Sequence, residues 1–549
     1  MEVQVVTPSP ADMHARSVSI GLTLLSCALL AGFLHRTPQA LYGDPACQLK
    51  AMQQFLAHES SSFNRMTIPD PNDVTRDTTE WYSWWPPGAQ LVIYPLASRG
   101  ISLGTAMRIV ALGFIILGSV GWVFWFNLFK LPKWVQAGWA FCLPWMHYAS
   151  KNAFIFSAEV IVFASVPWIL WGSDALAKAA RLRQRDSAVL IAAAFVLGLG
   201  FGSCYVLRYA IVFASLAALL YLWFELRAPS FIAVAVGCAI PVAAMNIINY
   251  IASHDANPVL VTAGLHLKWL SIPWITALSA LALADGYSLL SYIFLHPVHG
   301  LLQQEWPICL IGLPGGILLF VLLYRQRAER GPTRLAILNY AMAAVMFLAV
   351  WNFSLVGNYD GRYLAVYSMG VLPVALEQGF VLWRLKRGAL WKTGLALAGL
   401  CYVLVPLLYG FISVAAKVWR TPSNYAFGPS HVYNELLADN DLAGVRKELL
   451  SDYHPATDIW YLPDFVTALD IPGRAIICNA DWGYMSGLKM HRYQGSEPRR
   501  IRLLLPPRLE FNGRGPVVRH SFPQVAIWTR RKIQGCNYDL WEGTLKPYD

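Results

Sequence analysis

The run VSIGLTLLSCALLAGFL, Val18 to Leu34, holds no charged side chain and approaches the roughly 20 apolar residues a helix needs to cross a bilayer. Close behind it comes LYGDPACQLKAMQQFLAHESS, Leu41 to Ser61. There a carboxylate, Asp44, and Pro45 precede a segment whose Leu49, Met52 and Leu56 fall on one helical face. Asp then Pro is a start-of-helix pair, N-cap and first helical residue. An apolar anchor followed at once by a capped amphipathic helix sets how the rest is read. The run is kept as an anchor rather than a cleaved leader. Arg16 gives a weakly basic start, and no small-residue cleavage site stands between Gly32 and Asp44.

Composition agrees. The 549 residues are 56% hydrophobic and 14% charged, where soluble domains run about 45–50% and about 25%, and the mean hydropathy is +0.43. Apolar runs recur at 18–34, 101–129, 134–149, 152–171, 187–206, 209–226, 230–252, 306–324, 335–353, 363–383 and 389–416. The expected fold is a polytopic α-helical membrane protein of about 11 transmembrane helices. The net charge of +11 reflects topology and not nucleic acid. Basic links at Lys130/Lys133, Lys178–Arg185, Arg227, Arg325–Arg334 and Arg384–Lys392 alternate with poorer ones holding Lys151, Arg208, Lys268 and Arg362. This reading puts the N-terminus in the cytoplasm and the tail outside the plasma (inner) membrane.

Two parts outside the lipid are large. The first outer loop, 35–99, passes from the amphipathic helix through polar IPDPNDVTRDTTE to WYSWWPPGAQLVIYPLASRG. Its indoles suit the interfacial belt, and AQLVIYPLA is too short to span. The tail, 417–549, reads as a small extracytoplasmic α/β domain with strands at RAIICNAD and VAIWTRR and a short helix at WGYMSGL. Residues 1–416 form the membrane domain. The stretch 253–305 is interrupted by Pro273, Asp285 and Pro297 and reads as an outer loop with interfacial or re-entrant helices. Cys47, Cys478 and Cys536 fall outside the membrane runs, where a Cys478–Cys536 disulfide is an option.

Ionisable groups at the outer ends of helices are the informative ones, because a charge in the bilayer core costs several kcal/mol. They are Asp44, Lys151, Glu159, Arg208, His254, Asp255, Asp360 and Arg362. Acids and cations on one side are what a general base and an anionic substrate require. Lys151 and Arg208 also suit simple snorkelling, and Arg362, beside Asp360 and Tyr363, also suits lipid headgroups. Glu159 lies about two turns inside the run 152–171, where a partner or a water-filled cavity must answer its charge. Asp70, Asp73, Asp77 and Glu80 leave a divalent metal ion open, beside the plainer reading of a solvated loop. His296 and His299 in HPVHG have ligand spacing without a clear third ligand. No Walker loop, GxSxG, dinucleotide fingerprint or HExxH occurs.

The order of pieces resembles a known class. These are YGDPACQLKAM, WWPPGAQLVIYPLA, SAEVIVFASVPWIL, GLGFGSCYVLRYAIVFASLAALLYL, GRYLAVYSMGVLP and, in the tail, ICNADWGYMSGLKMHRY. The class is the integral-membrane glycosyltransferases of the C superfamily that use polyprenyl-phosphate sugars, in particular family 39, with its protein O-mannosyltransferases and lipid A aminoarabinose transferases. The resemblance implies a polyprenyl-phosphate sugar as donor and a glycan, lipid or protein as acceptor, among membrane lipids. It implies Asp44 as base and Arg362 as phosphate ligand, with Lys151 and Arg208 as further phosphate cations. Glu159, Trp85, Tyr363 and Asp360 would orient acceptor or sugar. The sequence departs from the pattern in having Pro45 where many relatives have an acid, and Trp85 where the aminoarabinose transferases have a lysine. Competing readings are an oligosaccharide transferase of the same superfamily and a lipid or sugar flippase. Transporters commonly show paired repeats, and none is visible here.

Overall fold

The computed structural model describes residues 10–547 except 254–315, 354–361, 421–424, 435–440, 478–489 and shorter breaks at 36, 42, 83–84, 183–186, 318–319, 322, 327–328, 330, 385–387, 456 and 512. The chain divides into two compact units. One comprises Met1–Leu34, Ala111–Ala153 and Ala158–Ala416, the other His35–Val110, Phe154–Ser157 and Lys417–Asp549.

In chain order the first elements are α1 (Pro10–Leu34), β1 (Gln39–Leu41), α2 (Gly43–Leu56), β2 (Arg65–Asp70), β3 (Asp73–Trp81), α3 (Gly88–Ala97) and α4 (Leu103–Phe126). Then follow α5 (Lys133–Cys142), α6 (His147–Phe154), β4 (Ile155–Phe156), α7 (Glu159–Leu182), α8 (Ala188–Leu207), α9 (Val212–Glu225) and α10 (Ala228–Ser253). Later helices cover Pro332–Phe353, Arg362–Arg384 and Ala389–Arg420. Among the described residues, six helices are long and apolar enough to cross a membrane: Met13–Leu34, α4, α7, α8, α10 and Ala365–Arg384. The protein is a multi-pass helical membrane protein.

Three expected runs take a different form. The run 134–149 is broken, because α5 stops at Cys142 and a 3-10 turn, Leu143–Trp145, precedes α6. Pro144 lies in that turn, and proline has no N–H for a continuing helix. The run 152–171 does not start a helix at 152. α6 and β4 occupy its head, and α7 opens at Glu159 and continues to Leu182. The run 209–226 begins with a 3-10 turn, Tyr209–Ile211, before α9. Most of 306–324, and all of 254–305, lie outside the described residues.

Helix packing in this unit rests on small residues. A Cβ on Gly198 would sit 2.2 Å from the Val234 carbonyl oxygen, and one on Gly202 would sit 2.4 Å from that of Cys238. On the facing helix, a Cβ on Gly237 would approach the Phe195 carbonyl to 2.4 Å. The GLGFG of α8 therefore presents a small-xxx-small face that lets α8 and α10 touch along their backbones. Polar contacts add to this: Thr23 and Ser26 of α1 donate to the Ala140 and Phe141 carbonyls (3.0 and 2.5 Å), and the Trp125 indole donates to the Gly370 carbonyl (2.9 Å).

The second unit is built around a five-stranded mixed sheet with strand order β7-β6-β8-β10-β9. Its strands are β6 (Asp458–Leu462), β7 (Ala475–Ile477), β8 (Arg499–Leu505), β9 (Val525–Lys532) and β10 (Asp539–Leu545). Strand β6 pairs in parallel with β7 and β8, while β10 runs antiparallel to β8 and β9. The side-chain period of two sends Trp460 and Leu462 to one core and Ile459 and Tyr461 to the other. Because β6 is covered on both faces, its apolar run is continuous.

The first loop belongs to this unit. IPDPNDVTRDTTE lies in and around a β-hairpin: β2 and β3 pair antiparallel, and Val74 is fully buried against Ile459, Tyr461 and Phe522. Helix α2 is more than amphipathic, since residues 45–52 are all buried. Its polar side chains survive burial by bonding to backbone. Gln48 donates to the Pro86 carbonyl (2.6 Å), Lys50 to Ala468 (2.8 Å), Gln53 to Leu469 (2.9 Å) and Gln54 to Thr67 (2.8 Å). A small parallel sheet of order β4-β1-β5, with β5 at Val432–Tyr433, completes the unit. Its register pairs Leu41 with Phe156 and Ala40 with Tyr433.

Candidate functional site

Strand β1 leads through one residue into α2, so Asp44 stands in the first turn of that helix. The helix starts at Gly43, two residues earlier than the cap pattern expects, a shift within the usual fraying of helix ends. The strand that delivers Asp44 is fixed on both edges, by β4 and by β5.

In the membrane unit the structure brings together two of the expected residues. Arg208 Nη2 donates to Glu159 Oε1 at 2.6 Å, with the two side chains only 12% and 6% exposed. Glu159 is the first residue of α7 and Arg208 follows the last residue of α8. An acid at a helix start and a cation at a helix end each complement the macrodipole. The position of Glu159 corrects the sequence expectation of two turns' depth. Its charge is answered by a helix terminus and an arginine.

Sequence reasoning missed the groups around this pair. The Tyr148 hydroxyl donates to the Glu159 carbonyl (3.2 Å) and to its Oε2 (3.4 Å). The fully buried Tyr367 donates from its hydroxyl to the Ala210 carbonyl, two residues beyond Arg208. Tyr205 donates to Asn246 Oδ1 at 3.1 Å, and Asn249 donates to the Tyr209 hydroxyl at 2.8 Å. The Tyr205 and Tyr209 rings pack against each other at a tilt of 37°, with centroids 4.9 Å apart. The signal was present in YVLRYA, where Arg208 is followed by one tyrosine and preceded, three residues back, by another.

The other expected residues fall elsewhere. Lys151 lies in the last turn of α6 and is half-buried. Arg362 and Tyr363 open the helix Arg362–Arg384, and Asp360 lies outside the described residues. Trp85 packs against Cys47, Ala51, Met66 and Tyr82, a structural cause for its partial burial. Cys478, His296 and His299 lie outside the described residues, and Cys536 carries a free thiol that burial pushes up to about 11.

The acidic group in the first loop has partners other than a metal. Asp73 accepts from Thr75 N–H (3.1 Å) and from its hydroxyl (2.7 Å), while Asp77 pairs with Arg474 at 2.7 Å. Asp70 accepts from Asn72 N–H at 2.8 Å. Among the described residues no three His, Cys, Asp or Glu side chains are grouped to hold a metal ion.

No family model matches the chain, and no curated protein matches it in sequence. Solved structures are similar in their course. ArnT from Cupriavidus metallidurans bound to undecaprenyl phosphate aligns with TM-score 0.47 and 10% identity, over 96% of this chain and 98% of its own. The archaeal oligosaccharyltransferase AglB from Archaeoglobus fulgidus, in complex with an inhibitory peptide and a dolichol-phosphate, aligns with TM-score 0.49 and 11% identity. That match covers 95% of this chain and 74% of its own.

Proposed function

We propose that the protein transfers a sugar from a polyprenyl-phosphate donor to an acceptor at the outer face of the cytoplasmic membrane. Asp44 acts as the general base. It takes the proton from the acceptor nucleophile as that atom bonds to the anomeric carbon, and the bond to phosphate breaks with its electron pair leaving on the polyprenyl phosphate. Phosphate in a lipid setting is a poor leaving group unless cations answer its charge, and fixed charge is usually the largest catalytic contribution. Arg362 and Lys151 serve that role. Arg208 contributes N–H donors more than net charge, because Glu159 already neutralises it. Glu159 thereby orients Arg208.

The observation that supports this reading is the placement of Asp44. A carboxylate follows closely on the first spanning helix, in the first turn of α2, behind a strand locked between two parallel neighbours. Such preorganisation is what a catalytic base requires.

The test is complementation of cells lacking the gene with wild type or Asp44→Asn, read by mass spectrometry of envelope glycans and lipids. A positioned base contributes about 10²–10⁴-fold, so the transferred sugar is expected to return with wild type and not with D44N at matched protein level. Full restoration by D44N would remove Asp44 as base. An unchanged glycan and lipid profile in the deletion strain would remove the transferase reading itself.

A further inference from the structure

In the second unit a cavity of about 220 Å³ lies beside the first two turns of α4. His35, the residue after α1, lies on its wall, as do Thr105 and Arg108 from the first two turns of α4. His431, from the loop before β5, closes another side. None of the residues assigned to sugar transfer is among the described residues that line it.

Its chemistry is cationic. Arg108 has no ion-pair partner among the described residues, and its guanidinium is held in place by backbone: Nη1 donates to the His35 carbonyl at 3.4 Å and Nη2 to that of Thr37. Those two bonds leave further N–H donors of the five-donor fork. Among the described residues no carboxylate lines the cavity. The His431 loop lies directly on the first turn of α4. Gly104 N–H donates to the Ser430 carbonyl at 2.8 Å, and a Cβ on Gly104 would fall 1.9 Å from the His431 carbonyl oxygen. His431 itself holds a left-handed backbone (φ 54°), with its ring stacked on Phe427 at 5.5 Å. The α4 N-terminus adds partial positive charge at the same wall. The volume is below the roughly 300–1,000 Å³ of drug-sized pockets, which fits a small oxyanion and not a sugar chain.

We propose that this cavity binds a phosphate group at the membrane surface, with Arg108 as its charged ligand and His35 and His431 as hydrogen-bond donors. The phosphate is that of an anionic lipid headgroup or free inorganic phosphate, and the two sources are separable.

The test uses the full-length protein. In detergent, the thermal-unfolding midpoint is followed against inorganic phosphate. In parallel, native mass spectrometry counts lipid retained from nanodiscs of phosphatidylcholine doped with phosphatidylglycerol. A lost hydrogen bond to a charged group is worth about tenfold in affinity, so His431→Gln and His35→Gln should each weaken the phosphate-dependent shift about tenfold, and Arg108→Gln should abolish it. Phosphatidylglycerol retained by wild type and lost in H431Q identifies the lipid source. A phosphate-dependent shift without retained lipid identifies the free ion. A shift equal in wild type, H431Q and R108Q means phosphate binds elsewhere and overturns the proposal, as does the absence of both shift and retained lipid. If R108Q does not fold for want of its carbonyl bonds, the two histidine variants decide.

Discussion

Glu159 and Arg208 form a buried ion pair, 2.6 Å between Oε1 and Nη2, that joins the start of one membrane helix to the end of another. Removing one partner of such a pair strands a charge and costs about 3–5 kcal/mol, whereas replacing both with apolar side chains is often neutral. Glu159→Gln is therefore expected to lower resistance to SDS unfolding by several kcal/mol, and the double variant Glu159→Leu with Arg208→Met to recover most of it. Equal losses in single and double variants would mean that the pair does not act as a unit.

The α8–α10 crossing makes a sharper steric prediction. Gly202→Leu places a side chain where a Cβ alone lies 2.4 Å from the Cys238 carbonyl oxygen, while a Cβ on Gly200 meets nothing within 4 Å. Overpacking typically costs 1–3 kcal/mol, sometimes more. Thermal unfolding in detergent should show G202L clearly destabilised and Gly200→Ala unchanged or slightly raised. A neutral G202L would mean these helices do not meet there.

Lys50 gives a pH signature. Burial pulls its amine down to about 8, against partial support from Glu59 and Asp470. Unfolded, a lysine titrates near 10.4. Between those values the unfolded chain binds the extra proton, so stability rises as pH climbs from about 8 toward 10. The burial penalty is fully present below pH 8. Lys50→Met should flatten this rise in a pH series of unfolding midpoints.

The tail carries the opposite case. Burial pushes Asp452 up, but hydrogen bonds and charge from Arg502 and then Arg500 outweigh it and hold the carboxyl at about 2. Its contribution is present above the ordinary aspartate value near 3.9 and is lost as pH falls through about 2. Asp452→Asn should lower stability at neutral pH, and the deficit relative to wild type should close in strongly acidic buffer. A constant deficit at every pH would assign Asp452 a packing role instead.

What the sequence made legible follows from where the signal is local. Apolar runs such as Leu103–Phe126 and Ala228–Ser253 announce themselves, since a bilayer demands length and composition in one stretch. The break at Pro144 and the late start of α7 at Glu159 were hidden, because hydropathy averages over a strand and two helix ends. Polar IPDPNDVTRDTTE looked solvated because Val74 finds its core against Ile459 and Tyr461, residues far along the chain. The same holds for the candidate site. Glu159 and Arg208 were each legible as charges that need an answer, but no local rule pairs residues on different helices. Tyr148 and Tyr367 carried no signal of their own.

The β4-β1-β5 sheet has a temporal meaning. Its central strand leaves the ribosome right after the first helix, yet its last edge, Val432–Tyr433, is made only after every candidate spanning helix. Parallel pairings across such separations form late. Throughout synthesis, then, the strand that leads to Asp44 has one neighbour at most, and the segment becomes complete only when the tail arrives. A chain cut short inside the membrane part would be inserted and yet unfinished at the strand that leads to its proposed base.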